Sequence, residues 1–128
     1  MQRHVFATSD ALSTELVRLT AEAAADAIGK RGAFHVALTG GSAASTLYPV
    51  LAQAALDWTK VHVWFGDERC VPPEHADSNF KLAHESFLAR VKVPAANIHR
   101  MRGELPPVDA AAEYEKALPA IGDALDVV

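Results

Sequence analysis

Two patterns of apolar residues alternate along this chain. Phe34 to Leu38 and Val61 to Phe65 are short, continuous, β-branched or aromatic runs, and they predict buried strands. Around them the apolar residues return at helical spacing. Leu12, Leu16, Leu19, Ala23 and Ala27 form one such series, and Leu47, Val50, Leu51 and Ala54 a second. Phe80, Ala83, Phe87 and Leu88 form a third, and Ala110, Tyr114 and Leu118 a fourth. Val5–Ala7, Asn97–Met101 and Leu125–Val128 read as further short strands.

Polar and special residues punctuate this pattern. Ser9 or Asp10 can cap the first helix, and Gly29-Lys30-Arg31-Gly32 ends it. Pro49 sits inside the second helical series, which predicts a late start or a bend there. Asp77-Ser78-Asn79 supplies three candidate caps for the third. Strands alternating with helices predict an α/β sheet of parallel strands joined by right-handed crossovers. Residues 1–128 read as a single α/β domain. Its last apolar run stops without a turn or cap, so the chain is expected to be the front part of a longer domain.

Composition narrows the function classes. Half of the 128 residues are apolar and 22% are charged, as in globular proteins. The net charge of -4 argues against nucleic acid or an anionic membrane surface as partner. Any anionic ligand must then be held by a local site. Cys70 is the only cysteine, so no internal disulfide forms and a reducing, cytoplasmic setting is expected. No apolar run is long enough to span a bilayer, and the first residues lack a signal-peptide apolar core.

The candidate chemistry follows the two buried strands. Thr39-Gly40-Gly41-Ser42 joins a strand to a helix, where glycines let a ligand approach backbone amides and the helix start offers unpaired N–H groups. A phosphate suits that place; so does a plain turn with Ser42 as helix cap. The lysine and spacing of a P-loop are absent. Gly66-Asp67-Glu68-Arg69 follows the second strand, at the end of the sheet where ligands bind in open α/β folds. Arg69 can grip a phosphate with two nitrogens, while Asp67 suits a sugar hydroxyl or water. The plainer alternative is an Asp67–Arg69 or Glu68–Arg69 ion pair that shapes the loop. Asp77 and Ser78 read as helix caps, and Asn79 either ties its loop to the Asp67 turn or touches a ligand. His35, His62, His84 and His99 read as structural, Cys70 as a bystander thiol, and no Cys/His cluster has zinc spacing.

These segments together resemble the 6-phosphogluconolactonases, within the larger group that includes glucosamine-6-phosphate deaminase and ribose-5-phosphate isomerase. The resemblance rests on Leu38-Thr39-Gly40-Gly41-Ser42, Trp64-Phe65-Gly66-Asp67-Glu68-Arg69 with Val71-Pro72, and Asp77-Ser78-Asn79-Phe80. It continues through Ile98-His99-Arg100-Met101 and Tyr114-Glu115. The deaminases look like Met-Asp-Glu-Tyr at the central turn, so Gly66 and Arg69 favour the lactonases. The resemblance implies an open, mainly parallel, Rossmann-like sheet with helices on both faces. It implies hydrolysis of 6-phospho-D-glucono-1,5-lactone, a small sugar phosphate, with no cofactor and no metal, by a monomer or homodimer. Gly40, Gly41 and Ser42 would take the phosphate-loop role, Arg69 the phosphate contact, and Asp67 and Asn79 the polar wall around the sugar. Two departures stand out. Ala43-Ala44 replace a proline usual after the Gly-Gly-Ser turn. The family's Asp-Gly-His segment, which carries the expected general-base histidine, is absent and would follow Val128. The rival readings are a deaminase-like enzyme, with Asp67 transferring a proton, and a non-catalytic sugar-phosphate sensor.

Overall fold

A computed structural model describes residues 3–128. Its centre is a parallel pair of strands, β1 (Phe34–Leu38) and β2 (Val61–Phe65), aligned from Phe34 opposite Val61 to Leu38 opposite Phe65. Single bridges extend the pair on both sides. Val127 bridges Val36 and Ile98 bridges Val63, both in parallel sense. Among the described residues four α-helices surround these strands: α1 (Ser9–Arg31), α2 (Gly41–Leu51), α3 (Asn79–Ser86) and α4 (Pro107–Ala117).

Strand alternation sorts side chains onto two faces. Phe34, Val36 and Leu38 with Val61, Val63 and Phe65 meet Ala24 and Ala27 of α1, Ala44, Tyr48 and Leu51 of α2, and Ala83 of α3 in one core. His35, Ala37, His62 and Trp64 belong to the other face, where Tyr114 of α4 meets Trp64 edge-on at 6.1 Å between ring centroids. Helices thus cover both faces, three on one and one on the other.

Several expectations are corrected. Val5–Ala7 forms no strand; among the described residues no backbone pairs with it, and Val5 is 85% exposed. The cap of α1 is Thr8, whose hydroxyl accepts from the Ala11 N–H at 3.2 Å, rather than Ser9 or Asp10. The leucine stripe of α1 faces outward, with Leu12, Leu16 and Leu19 between 38% and 48% exposed. The buried residues of α1 are Ser13, Thr20, Ala24 and Ala27. Small side chains let the helix lie close against the core, and the Thr20 hydroxyl is satisfied by donating to the Leu16 carbonyl at 2.7 Å. α2 starts promptly at Gly41. Pro49 falls in its last turn, where the missing N–H deprives only Ser45, an exposed residue. The strand expected over Asn97–Met101 shrinks to the bridge at Ile98. His99 still donates its N–H to the Val63 carbonyl at 2.8 Å, and then the chain folds into turns closed by Gly103 N–H to Met101 O and Leu105 N–H to Arg102 O. The final run does begin a strand: Ala37 N–H donates to Val127 O at 2.9 Å and Asp126 N–H to His35 O at 2.9 Å.

On the α4 side three imidazoles and an indole stack. Trp64 lies flat on His99 at 3.8 Å between centroids, and its Nε1–H donates to His35 Nδ1 at 3.1 Å. His62 Nδ1 and His99 Nε2 share a hydrogen bond of 3.2 Å, and His35 stacks on His62 at 4.6 Å. Burial lowers the pKa of all three histidines, and their mutual repulsion lowers those of His35 and His99 further. The unfolded chain therefore binds protons on these groups more readily than the folded one. Their contribution is fully present above the ordinary histidine pKa of about 6.5 and is lost as pH falls through and below it. We expect Tm to drop on acidification from pH 7 to pH 5, and a His99→Phe variant, which keeps a ring on Trp64, to show a shallower drop. Equal slopes in thermal scans would refute this.

Tyr114 reaches from α4 to the end of β2, where its hydroxyl accepts from Phe65 N–H at 2.9 Å and donates to Phe65 O at 3.2 Å. Removing that oxygen strands a buried N–H, at a cost of about 1–3 kcal/mol. Tyr114→Phe is expected to lower the urea midpoint accordingly without changing the m-value.

Candidate active site

Because β1 and β2 are neighbours in register, the loops leaving their C-terminal ends emerge side by side. Gly66 N–H donates back to Leu38 O at 2.9 Å, which fastens the second loop to the end of the first strand.

The first loop is Thr39-Gly40-Gly41-Ser42. Gly40 is the N-cap of α2 and offers no side-chain cap, so the first amides of this helix keep free N–H groups. Gly41 has a φ of +83°, a conformation that favours glycine. Ser42 lies in the first turn as an exposed residue, not as the cap. Beneath the loop, the buried Tyr48 hydroxyl donates to the Thr39 carbonyl and fixes its path. Burial raises the Tyr48 pKa to about 12, so the phenol keeps its proton at neutral pH and holds this bond.

The second loop carries Asp67, Glu68 and Arg69. Asn79, the first residue of α3, joins the two loops. Its Nδ2 donates to the Asp67 carbonyl and to Asp67 Oδ1, both at 3.1 Å. Its Oδ1 lies so near Gly40 that a Cβ there would stand 2.0 Å away. Asn79 is only 4% exposed, so this is a built junction. Of its two expected roles, the tie to the Asp67 turn is the one observed. Ser78 caps α3 as expected, accepting from Lys81 N–H at 3.1 Å, whereas Asp77 does not; its own N–H donates to His75 Nδ1.

Neither ion pair suggested for the turn forms. The Glu68 carboxylate faces the start of α3 and accepts from the N–H groups of Asn79 and Phe80 and from the Ser78 hydroxyl. Among the described residues the Arg69 guanidinium makes no hydrogen bond or ion pair, in contrast to Arg18, Arg31, Arg100 and Arg102, which are engaged by carboxylates. Arg69 is exposed and borders a cavity of about 330 Å³ against α4, lined also by Met101, Leu105, Ala111 and Tyr114. Gly103 closes on the same turn from behind; a Cβ on it would stand 2.1 Å from the Arg69 carbonyl.

The structure thus gathers Gly40, Asp67 and Asn79 into one contact, with Gly41, Ser42 and Arg69 on the same two loops. Free amides, a helix start and an unpaired guanidinium suit an oxyanion, and the Asp67–Asn79 pair suits hydroxyl groups. The sequence reading missed Glu68 as a clamp, because its partners lie ten to twelve residues downstream across a loop. Cys70 is an exposed free thiol. Among the described residues, no group of three or more His, Cys, Asp or Glu is arranged to hold a metal ion, and no helix is long and apolar enough to cross a membrane.

The chain is similar to known proteins along most of its length. The family described as glucosamine-6-phosphate isomerases/6-phosphogluconolactonase matches residues 7–128. A probable chloroplastic 6-phosphogluconolactonase 3 of Oryza sativa subsp. indica is 40% identical over 117 residues, covering 89% of this chain and 36% of its own length. The 6-phosphogluconolactonase of a Nostoc species is 44% identical over 110 residues, covering 80% of this chain and 46% of its own. Among solved structures, 6-phosphogluconolactonase from Thermotoga maritima superposes with a TM-score of 0.82 at 26% identity, covering 88% of this chain and 52% of that one. The chain spans half or less of the length of these curated relatives. With its match from residue 7 to residue 128, this chain belongs to the glucosamine-6-phosphate isomerase/6-phosphogluconolactonase family.

Proposed function

We propose that this chain is the substrate-anchoring front portion of a 6-phosphogluconolactonase, one part of a longer domain that hydrolyses 6-phospho-D-glucono-1,5-lactone to 6-phosphogluconate. The observation that carries this reading is the Asn79 junction, which joins Gly40 to Asp67 at the C-terminal ends of two parallel strands. The names of the relatives support the lactone as substrate. In this reading the Gly40-Gly41-Ser42 amides and Arg69 anchor the phosphate, and Asp67, held in place by the buried Asn79, faces the sugar hydroxyls. The ring is thereby held while water attacks the lactone carbonyl. A general base must take the proton from that water, and donors must stabilise the tetrahedral oxyanion. The base is a histidine expected beyond Val128, so the 128-residue chain binds without turning over. The enzyme acts in the cytoplasm without cofactor, as a monomer or homodimer, with no nucleic acid or membrane partner.

Magnitudes fit this assignment. A charge-assisted hydrogen bond contributes about 1.5–3 kcal/mol, a helix dipole about 0.3–1 kcal/mol, and a millimolar ligand needs about 4 kcal/mol. Arg69 with several loop amides reaches that figure, and the dipole alone does not.

The test is calorimetric titration of the chain with 6-phosphogluconate and, separately, with glucosamine 6-phosphate. Binding of the first in preference to the second is expected, together with no lactone turnover in a coupled assay. Preference for the amino sugar would overturn the reading. Arg69→Gln is expected to weaken 6-phosphogluconate binding by about tenfold to a hundredfold while leaving Tm near wild type.

Gly40→Ala should both weaken binding and lower Tm, because its methyl group must displace the buried Asn79 amide. Gly29→Ala is the matched control. It lies in α1 with nothing within 4 Å of a Cβ, and helix propensity predicts a stability gain of about 0.5–1 kcal/mol. If Gly40→Ala behaved like Gly29→Ala in melting and titration, the junction would have no role.

A further inference from the structure

Glu68 is set apart by how fully its carboxylate is used. Oε1 accepts from the N–H groups of Arg69 at 2.8 Å and Asn79 at 2.7 Å. Oε2 accepts from the Ser78 hydroxyl at 3.0 Å and the Phe80 N–H at 2.9 Å. Two of those donors are the opening amides of α3, which have no partner within the helix. The helix start also favours negative charge. One side chain therefore fixes the angle between the turn after β2 and the axis of α3. Ser78 and Asn79 are 2% and 4% exposed, so the helix side of the joint is buried, while Glu68 itself is half-buried.

Everything placed in the second loop hangs from this joint. Asp67 precedes Glu68 and Arg69 follows it, and Asn79 points its amide at Asp67 from the helix end that Glu68 holds. A rotation of α3 about its N-terminus would move Asn79 away from both Asp67 and Gly40. Glu68 faces the helix start and not the loop amides of Gly40-Gly41-Ser42, so it need not touch a ligand to affect one.

We propose that Glu68 is a positioning residue: by clamping the N-terminus of α3 it holds Asn79 between Gly40 and Asp67 and so sets the affinity of the site for its sugar phosphate. The ligand half of this proposal rests on the lactonase reading; the geometric half does not.

Glu68→Gln is the decisive variant. It keeps the size of the side chain but replaces one acceptor oxygen with an NH2 group that cannot accept, which leaves two of the four donors without a partner. Thr8→Ala is the control, since it removes the cap of α1, away from the loops, and lowers stability by a similar mechanism. Both are read by thermal melting, by the Asn79 side-chain amide signals in a 15N spectrum, and by titration with 6-phosphogluconate. The expected result is that both variants lose Tm, while only Glu68→Gln shifts the Asn79 signals and weakens binding, roughly tenfold. If Glu68→Gln does not fold, Glu68→Asp, which withdraws the carboxylate by one methylene, is read in the same way. Wild-type Asn79 signals and affinity in a folded Glu68 variant would overturn the proposal. Should the wild-type chain itself bind no 6-phosphogluconate, the lactonase reading fails, and the Asn79 signals alone decide whether Glu68 positions that residue.

Discussion

The in-register parallel pairing of β1 with β2 is the constraint on which the site depends. Parallel neighbours send their C-terminal ends the same way, so the loop after Leu38 and the loop after Phe65 have to leave the sheet together. Gly66 N–H donating to Leu38 O continues the pairing one residue beyond the strands, and Tyr114 satisfies the Phe65 backbone on the other side. Neither loop is free to wander. A shift of either strand by one residue would exchange the core face with the histidine face and separate Gly40 from Asn79.

On this base the site is assembled by carboxylate and amide contacts. Glu68 and Asn79 work in opposite directions across one gap. The first sends its side chain from the turn to the helix, and the second sends its side chain from the helix to the turn. The reciprocity matters energetically, because each side chain satisfies backbone groups the other element leaves open. A buried polar network of this kind is favourable only when every member is paired. Among the described residues no buried side-chain nitrogen or oxygen lacks a partner.

The strands and the loops carrying the candidate residues were legible because both signals are local. Runs of four apolar residues around one histidine specify the two buried strands, and Asp77-Ser78-Asn79 before an apolar series places a cap within three residues, of which Ser78 takes the role. What local pattern cannot carry is partnership. Leu12, Leu16 and Leu19 share the spacing of Ala23 and Ala27, yet only the alanine end of that series meets the core, joined there by Ala24, because the fit of α1 against α2 and β1 rewards small residues at those positions. Val5–Ala7 has strand composition and, among the described residues, no backbone to pair with. His99 gave no sign of its partners, since His62 and Trp64 become its neighbours only when the segment after Pro94 comes alongside β2. Glu68 was masked in the same way by adjacency to Arg69, which invited an ion pair.

That last case explains why Arg69 is available. A guanidinium next to two carboxylates in sequence would ordinarily be neutralised by one of them. Here Asn79 engages Asp67, and Glu68 is occupied by amides and a hydroxyl. Arg69 contributes its backbone N–H to the same clamp while its side chain makes no bond among the described residues. Pairing two charges at an exposed turn gains at most about 1 kcal/mol, whereas amide donors at a helix start would otherwise be left without a protein partner. The carboxylate therefore goes to the helix. The consequence is electrostatic: in a chain of net charge -4, the turn after β2 keeps a cation with no carboxylate on it among the described residues, at the edge of the cavity against α4.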